Sequence, residues 1–332
     1  MNNLSGFIDA IGGTPLIKLK QASELTGCNI YGKAEFLNPG GSVKDRAAKF
    51  MIIQALKSNL LEPGGLIIEG TAGNTGIGLA LCGRSLGLRT HIYMPDTQSE
   101  EKKRALKISG AKLFEIPAVS FTNPNHYVHT AQRASIAAAE KEKHGVFYAN
   151  QWDNLANRDG HTLSTGSEIW DQTNGKIDGF ICAIGTGGTV TGVSEYLKSK
   201  NKNVRVAVAD PMGASMYSWI KNKKLEPKGS SVIEGIGQGR VTGNIENGII
   251  DDAYQITDTV ALTCLYELAS NEGLVLGGSS GINVAGAIEL AKDLGPGKTI
   301  VTILCDSGFR YESKLYNKNY LNEKGLPVPN WI

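Results

Sequence analysis

Residues 179–198 read G-F-I-C-A-I-G-T-G-G-T-V-T-G-V-S-E-Y-L-K, and the fold prediction begins from this stretch. The apolar run 180–184 predicts a buried strand, and a helical pattern from Thr191 to Lys198 follows the glycine-rich loop. Short β-branched runs alternate with helical patterns along most of the chain, which predicts strands at 65–69, 89–94, 112–116, 180–184, 204–209 and 299–304. This alternation is typical of an α/β protein with mostly parallel, covered sheets.

The length and charge of the chain favour a two-lobed protein that acts on small molecules. A chain of 332 residues exceeds the usual size of one hydrophobic core, so two lobes with a cleft between them are expected. A net charge of +2 gives no field that favours nucleic acid or an anionic membrane. The first residues lack the pattern of a secretory signal, and no stretch is long and apolar enough to span a membrane. We therefore expect a cytoplasmic protein.

The cysteines and histidines do not predict a metal site. Five cysteines are widely scattered, without a C-x-x-C pair, which favours free thiols in a reducing cytoplasm over disulfides or zinc. His126 and His129 are three residues apart but lack a second ligand pair, so we interpret them as part of a solvated helix face.

Glycine accounts for 41 residues and concentrates in short blocks: G-G-T at 12–14, N-P-G-G-S-V-K-D-R at 38–46, G-T-A-G-N-T-G at 70–76, G-T-G-G-T at 185–189 and G-G-S-S-G at 277–281. Glycine lets backbone N–H groups converge on a ligand, and a helix N-terminus adds its dipole. The 185–189 block, with the hydroxyls of Thr186 and Thr189, is the best candidate for an anion site. It matches neither a P-loop nor a dinucleotide fingerprint, and a tight turn without a ligand is the alternative.

An extended segment ends just before Lys44 and a helix is predicted at 43–56, which places Lys44 in the first helical turn. A cation is unfavourable at the positive end of a helix, and this favours the neutral amine that a Schiff-base lysine requires. The alternative is an exposed lysine whose charge is offset by Asp45.

Together these blocks strongly resemble the fold-type II pyridoxal-phosphate (PLP) enzymes, in the branch that contains cysteine synthase (O-acetylserine sulfhydrylase) and cystathionine β-synthase. The match extends from Gly12 to Ser313 and is nearest to cysteine synthase. The resemblance implies two lobes of the tryptophan synthase β type, each a mostly parallel twisted sheet flanked by helices, with PLP in the cleft. It also implies a smaller, mobile substrate-binding lobe at 45–152 and a larger PLP-binding lobe formed by 1–44 and 153–332.

The same resemblance implies the site residues. Lys44 would carry PLP as a Schiff base and act as the α-proton base, Asn74 would contact the PLP hydroxyl, and Ser279 would face the pyridine nitrogen. The phosphate would be held by Gly185, Thr186, Gly187, Gly188 and Thr189. The residues implied in substrate binding are Thr71, Ala72, Gly73, Asn74, Thr75, Gln151 and Gly235. The hydroxyl of Ser279 makes PLP a weaker electron sink than a carboxylate would, which favours β-elimination and β-replacement.

The implied reaction is replacement of the acetate of O-acetylserine by sulfide, through α-aminoacrylate, to give L-cysteine. The implied partners are a second copy of the chain and, as a possibility, serine acetyltransferase. Ala72 stands where the family has serine, which leaves the substrate less certain than the cofactor. The absence of a haem extension and of a regulatory module favours cysteine synthase over cystathionine β-synthase.

Three alternatives to cysteine synthesis remain at this point. Cystathionine β-synthase or cysteine desulfhydrase activity would use the same PLP site. A serine or threonine deaminase is less favoured, because Thr75 stands where those enzymes typically have histidine. A non-catalytic interaction module conflicts with the intact Lys44 and Asn74.

Overall fold

The computed structural model describes residues 6–246 and 248–332. These divide into two compact units. The first comprises residues 6–12 and Asn38–Gly160, and the second comprises Gly13–Leu37 and His161–Ile332. The narrower division into lobes that the sequence suggested, with its boundaries at 45 and 152, stays a prediction.

The strands are β1 Leu16–Lys18, β2 Asn29–Ala34, β3 Leu66–Gly70, β4 Arg89–Pro95, β5 Lys112–Ile116, β6 Val146–Tyr148, β7 Gly179–Cys182, β8 Arg205–Pro211, β9 Asp252–Ile256 and β10 Thr299–Leu304. The α-helices are α1 Lys20–Thr26, α2 Lys44–Lys57, α3 Asn74–Ser85, α4 Glu100–Ile108, α5 Tyr127–Ala139, α6 Ala156–Gly160, α7 Ser167–Gln172, α8 Gly188–Lys200, α9 Met216–Asn222, α10 Asp258–Glu272, α11 Gly278–Leu294 and α12 Lys318–Glu323. Short 3-10 helices span Phe7–Ala10, Glu35–Leu37 and Gly308–Tyr311, and a π-helical turn spans His161–Gly166.

The first unit is built on a parallel sheet of four strands in the order β5-β4-β3-β6. Every residue of β3 is buried, as expected for a central strand covered on both faces. Helix α3 packs closely on α2, because a Cβ at Gly78 would lie 3.1 Å from the Ala48 Cβ and 3.2 Å from the Lys44 carbonyl oxygen. A larger side chain at position 78 would therefore push the first turn of α2 away.

The second unit is built on a sheet of six strands in the order β1-β2-β10-β7-β8-β9, in which β1 is antiparallel to β2 and the remaining pairs are parallel. Helix α11 is buried along most of its length and packs on this sheet. A Cβ at Gly286 would lie 2.5 Å from the Ala209 Cβ, so glycine allows the close approach of α11 to β8. The predicted α/β class, with mostly parallel sheets flanked by helices, is confirmed.

The observed strands depart from the predicted ones in ways that have local causes. Predicted strands 112–116 and 299–304 match β5 and β10. Strand β7 ends at Cys182 rather than at 184, since the Ala183 N–H donates to Asn283 Oδ1 (2.7 Å) and the chain turns away. Strands β1, β2, β6 and β9 were missed; β1 and β6 have three residues each, too few for an alternating pattern. In the part of the chain that is described, no helix is long and apolar enough to cross a membrane.

Candidate active site

Lys44 is the first residue of α2, and the loop before it is held by the side chain of Asp45. Asp45 is fully buried, and its Oδ2 accepts a hydrogen bond from the Gly40 N–H (2.6 Å). A Cβ at Gly40 would lie 2.5 Å from the Asp45 Oδ1, so the loop requires glycine there. The Lys44 N–H donates to Ser42 Oγ (3.3 Å), and the side chain of Lys44 is half-buried. Asp45 is thus a structural acid inside the loop rather than an exposed neighbour of Lys44.

The T-A-G-N-T segment connects the carboxyl end of β3 to the first turn of α3. The Thr71 N–H donates to the Tyr93 carbonyl (3.0 Å), and the Gly73 N–H donates to Thr71 Oγ1 (3.3 Å). Gly73 has φ 147°, and a Cβ there would lie 3.1 Å from Cδ of Lys102. Asn74 begins α3, so the positive end of a helix dipole lies at this loop, where an anion is favoured. Nothing in the structure explains the alanine at position 72.

Gln151 contacts Thr75 although 76 residues separate them. Strands β3 and β6 are parallel neighbours, so the loops that follow them leave the sheet at the same edge. Thr75 Oγ1 donates to Gln151 Oε1 (2.5 Å), and Gln151 Nε2 donates to the Gly70 carbonyl (3.4 Å). Both side chains are buried, so two predicted carboxylate-binding residues form one hydrogen-bonded pair.

Glu69 lies beneath this pair and was missed by the sequence analysis. Its side chain is fully buried, and its Oε1 accepts a hydrogen bond from the Gln151 N–H (3.4 Å). Burial raises the pKa of the Glu69 carboxyl to about 8, although hydrogen bonds from Gln151 and Asn150 lower it. The sequence signal for Glu69 was a single acidic residue within the otherwise apolar segment L-I-I-E-G, which immediately precedes T-A-G-N-T.

In the second unit, the G-T-G-G-T loop joins β7 to α8. Gly187 precedes α8 with φ 90°, and a Cβ there would lie 2.1 Å from Cγ1 of Ile245. The Gly188 N–H donates to Thr186 Oγ1 (3.4 Å), and Thr242 Oγ1 donates to the Thr186 carbonyl (2.7 Å). A glycine-lined helix N-terminus with two threonine hydroxyls fits a phosphate group.

Gly235 and Gln238 lie against the start of this loop. Gln238 Nε2 donates to the Gly185 carbonyl (2.9 Å), and a Cβ at Gly185 would lie 2.8 Å from the Gly235 carbonyl oxygen. Gly235 itself has φ 81° and open space around its Cα. The structure therefore places this predicted substrate residue next to the predicted phosphate loop.

Buried His161 contacts the last residue of the loop. Its Nε2 lies 3.2 Å from Thr189 Oγ1, and its Nδ1 lies 2.8 Å from Thr165 Oγ1. His161 begins the π-helical turn, a feature that often occurs at functional sites. The sequence analysis assigned no role to this histidine.

Ser279 is the second residue of α11 and is buried. The start of α11 is fixed by its neighbours: Ser280 Oγ accepts the Cys305 N–H (2.9 Å), and the Gly277 N–H donates to the Asp306 carbonyl (3.0 Å). Asn283 Oδ1 accepts the Ala183 N–H at the end of β7, while its Nδ2 donates to the Ile303 carbonyl in β10 (2.7 Å each). Asn283, which sequence reasoning missed, thus ties Ser279's helix to the strand that leads into the phosphate loop.

His126 and His129 contact backbone groups at or near α5. His126 caps α5, with its Nδ1 accepting the Val128 N–H (3.3 Å), and His129 lies on α5. Within residues 6–246 and 248–332, no group of three or more His, Cys, Asp or Glu side chains is placed to hold a metal ion.

Comparison with known proteins shows similarity over nearly the whole chain. The family model described as "Pyridoxal-phosphate dependent enzyme" matches residues 8–306. Cysteine synthase 1 of Emericella nidulans is 49% identical over 328 residues, which cover 97% of this chain and 87% of that protein. Cysteine synthase of Dictyostelium discoideum is 44% identical over 336 residues, which cover 98% and 87%.

Two solved structures are also similar. O-ureido-L-serine synthase matches with a TM-score of 0.84 and 33% identity, covering 95% of this chain and 96% of the other. An O-acetylserine dependent cystathionine beta-synthase from Helicobacter pylori matches with a TM-score of 0.83 and 31% identity, covering 95% and 99%.

Proposed function

We propose, from the premise that this chain belongs to the family of pyridoxal-phosphate dependent enzymes, that it replaces the acetate of O-acetylserine with sulfide to give L-cysteine and acetate. The family predicted from the sequence is confirmed, the chain is a PLP-dependent enzyme, and PLP is its cofactor. Relatives 44% and 49% identical over nearly the full chain are named cysteine synthases. The observation that carries the proposed substrate class is the buried Thr75–Gln151 pair beside the start of α3, since it suits an amino-acid carboxylate.

The residues present fit PLP in both units. In the proposal, the cofactor-binding residues of the first unit are Lys44 and Asn74. Those of the second unit are Gly185, Thr186, Gly187, Gly188, Thr189 and Ser279. The N–H groups of Gly187 and Gly188 and the hydroxyls of Thr186 and Thr189 bind the phosphate. The Asn74 amide and the Ser279 hydroxyl orient the ring by hydrogen bonds. When bound, PLP withdraws electrons from the α carbon of an amino acid.

Lys44 moves the proton in this mechanism. Its Nζ accepts the proton from the substrate α carbon, as general-base catalysis requires of an amine in its neutral form. Lys44 is the first residue of α2, and the carboxylate of its neighbour Asp45 accepts the Gly40 N–H within the loop.

The substrate carboxylate binds to the other loops of the first unit. Thr71, Gly73, Asn74 and Thr75 offer hydroxyls and N–H groups at the start of α3, and Gln151 completes the set. Ala72 contributes only its backbone groups to substrate binding. In the second unit, Gly235 is the proposed substrate-binding residue. After Lys44 Nζ takes the α proton, acetate leaves with the electron pair of the Cβ–O bond. Hydrosulfide then forms the new C–S bond at the β carbon, and Lys44 Nζ returns a proton to the α carbon.

The function is tested by product analysis with several donors and acceptors. The purified, PLP-loaded protein is given O-acetylserine, L-serine or L-cysteine, each with sulfide, homocysteine or no acceptor. We expect L-cysteine from O-acetylserine plus sulfide as the fastest reaction. Faster formation of cystathionine from homocysteine, or of sulfide from L-cysteine, would instead favour the cystathionine β-synthase or desulfhydrase alternatives.

We also propose a homodimer in the cytoplasm and serine acetyltransferase as a binding partner, as the sequence resemblance implies. The five free cysteines, three of them buried, support a reducing compartment. Light scattering measures the mass in solution, and a mass of one chain would contradict the dimer. Calorimetric titration with serine acetyltransferase tests the partner, and the absence of heat would contradict it.

A further inference from the structure

Glu69 occupies an unusual position for an acid. It lies in β3, the strand between β4 and β6, one residue before the strand ends, and its exposure is 0%. Its register partner on β4 is Ile92. The two loops that bind the substrate carboxylate in the proposed function follow β3 and β6, so Glu69 lies directly beneath their point of departure.

The contacts of Glu69 lead to that binding pair. Its Oε1 accepts the Gln151 N–H (3.4 Å), and the Gln151 side chain in turn accepts the Thr75 hydroxyl (2.5 Å). Asn150, just before, has a left-handed backbone with φ 45°, which turns the chain so that Gln151 returns over β3. Among residues 6–246 and 248–332, the Glu69 Oε2 has no hydrogen-bond partner.

The environment of Glu69 favours its neutral form. Burial raises the pKa of the Glu69 carboxyl to about 8, so it carries a proton at pH 7. The titratable side chains on or capping the helices and strands around β3 are Cys82, Arg84, Arg89, His91, Tyr93, His126, Tyr127, His129, Arg133, Glu140 and Tyr148. Among these, Tyr127 is affected by the Glu69 charge, which together with burial raises the pKa of Tyr127 to about 12.

We propose that Glu69 is a positioning residue for the substrate carboxylate: as a neutral carboxyl it fixes Gln151 against Thr75 without placing a negative charge beneath the bound anion. This inference rests on the proposed function, which assigns the substrate carboxylate to Thr75 and Gln151. A neutral acid accepts the Gln151 N–H as an amide oxygen would. An ionised one would repel the substrate across a buried, weakly screened distance.

The consequence is a specific pH dependence of binding. As the pH rises through about 8, Glu69 loses its proton and the substrate carboxylate meets a like charge. The dissociation constant for a carboxylate ligand without an amine then rises on the order of tenfold, which corresponds to about one pKa unit of interaction. Glu69→Gln keeps the shape and the acceptor but cannot ionise, so its binding stays constant over the same range.

The experiment measures the Kd for 3-hydroxypropanoate, which has the carboxylate and hydroxyl of serine but no amine that titrates between pH 7 and pH 9, by calorimetry at these two pH values with the PLP-loaded enzyme. The wild-type Kd should rise on the order of tenfold between the two, and the Glu69→Gln Kd should change less than about twofold. Glu69→Ala should bind weakly at both pH values, with the O-acetylserine KM raised more than kcat is lowered. The matched control is Asp210→Asn, because Asp210 is likewise buried and its pKa is raised to about 6, but it lies in the second unit.

Equal pH dependence in the wild type and Glu69→Gln would overturn the inference, as would a normal Kd in Glu69→Ala. If Glu69→Gln does not fold, the wild type decides, since a Kd that fails to rise from pH 7 to pH 9 contradicts an ionising acid at this place. The two proposals fail separately: a wild type that makes L-cysteine without this pH dependence refutes the role of Glu69 alone. A wild type that makes no L-cysteine refutes the proposed function.

Discussion

At the scale of single residues, buried acids and amides fix the backbone of the glycine-rich blocks. Asp45 Oδ2 accepts a hydrogen bond from the Gly40 N–H and so fixes the turn that precedes Lys44. Gln151 plays the same part for the T-A-G-N-T loop through Thr75 and Gly70. Such buried polar contacts have one satisfied geometry, and they fix the side chains that contact the ligand in the proposed function.

The assignment of Lys44 is tested by replacing it. Lys44→Ala should remove the visible absorbance of lysine-bound cofactor and lower the rate of L-cysteine formation at least a hundredfold, about the contribution of a general base. Lys49→Ala is the matched control on the same helix, since Lys49 donates to the Ile11 carbonyl (3.3 Å) away from the loop. Retention of the absorbance in Lys44→Ala would mean that another lysine holds PLP.

The Thr75–Gln151 hydrogen bond makes a second prediction. Thr75→Val keeps the size of the side chain but leaves the buried Gln151 oxygen without its donor. The desolvation penalty of such an unpaired buried oxygen is about 1–3 kcal/mol. We expect the KM for O-acetylserine to rise on the order of tenfold. Thr75→Ser retains the hydroxyl and should stay near the wild-type KM. An unchanged KM in Thr75→Val would contradict the assignment of the carboxylate site.

Glu69 also predicts how stability changes with pH. Its carboxyl pKa is raised in the folded chain from 4.5 to about 8, so between these values the unfolded chain is ionised while the folded chain keeps the proton. Folding is therefore penalised increasingly as pH rises from about 4.5 to 8, by about 1.4 kcal/mol per pH unit at most. Glu69→Gln removes this term, so its denaturant midpoint should exceed that of the wild type more at pH 8 than at pH 5. A constant difference between the two midpoints would contradict the raised pKa.

Local sequence rules predict some site residues and not others. Lys44 at the start of a helix follows from the proline, glycines and helical pattern around it. Other features depend on which strands are neighbours in the sheets. These are the Thr75–Gln151 contact, the hydrogen bonds of Asn283 to residues at β7 and β10, and the burial of Glu69. No pattern within a short window contains that information, so these residues required the structure.

At the scale of elements, both units place their candidate loops after the carboxyl ends of parallel strands. The T-A-G-N-T loop follows β3, and G-T-G-G-T follows β7. In parallel sheets this edge collects the loops and the positive ends of the helices, so it is where ligands bind. The short β-branched runs predicted most of these strands. The three-residue strands β1 and β6 have too few positions to show an alternating apolar pattern. They are defined by their pairing with β2 and β3.

The link between β7 and α8 makes a prediction at this scale. Gly187→Ala introduces a Cβ at positive φ and 2.1 Å from Ile245, so the start of α8 must shift and the PLP phosphate should bind at least about tenfold more weakly. Gly297→Ala is the matched control, because Gly297 has φ 81° but no atom within 4 Å. Equilibrium dialysis of PLP and thermal melting separate the two effects: both variants lose some stability, and Gly187→Ala alone loses affinity. Equal PLP affinity in both variants would contradict the phosphate-loop assignment.

At the scale of the whole molecule, the alternation of strand and helix patterns along the sequence predicted the α/β class. The resemblance carried by the Lys44 block and the other glycine-rich blocks predicted the cofactor family. The balanced charge agrees with small-molecule substrates, since a net +2 over 332 residues provides no strong field for a polyanion. In the proposed function, the reaction depends on finer features, among them the neutral residues Ala72 and Ser279.

The reaction is tested most directly by the stoichiometry of a single incubation. PLP-loaded protein is mixed with equal amounts of O-acetylserine and sulfide, and proton NMR follows the products. We predict L-cysteine and acetate in equal amounts as O-acetylserine disappears, with formation of both lost in Lys44→Ala. Release of acetate without L-cysteine, or no consumption of O-acetylserine by a protein that binds PLP, would contradict cysteine synthesis as the function of this chain.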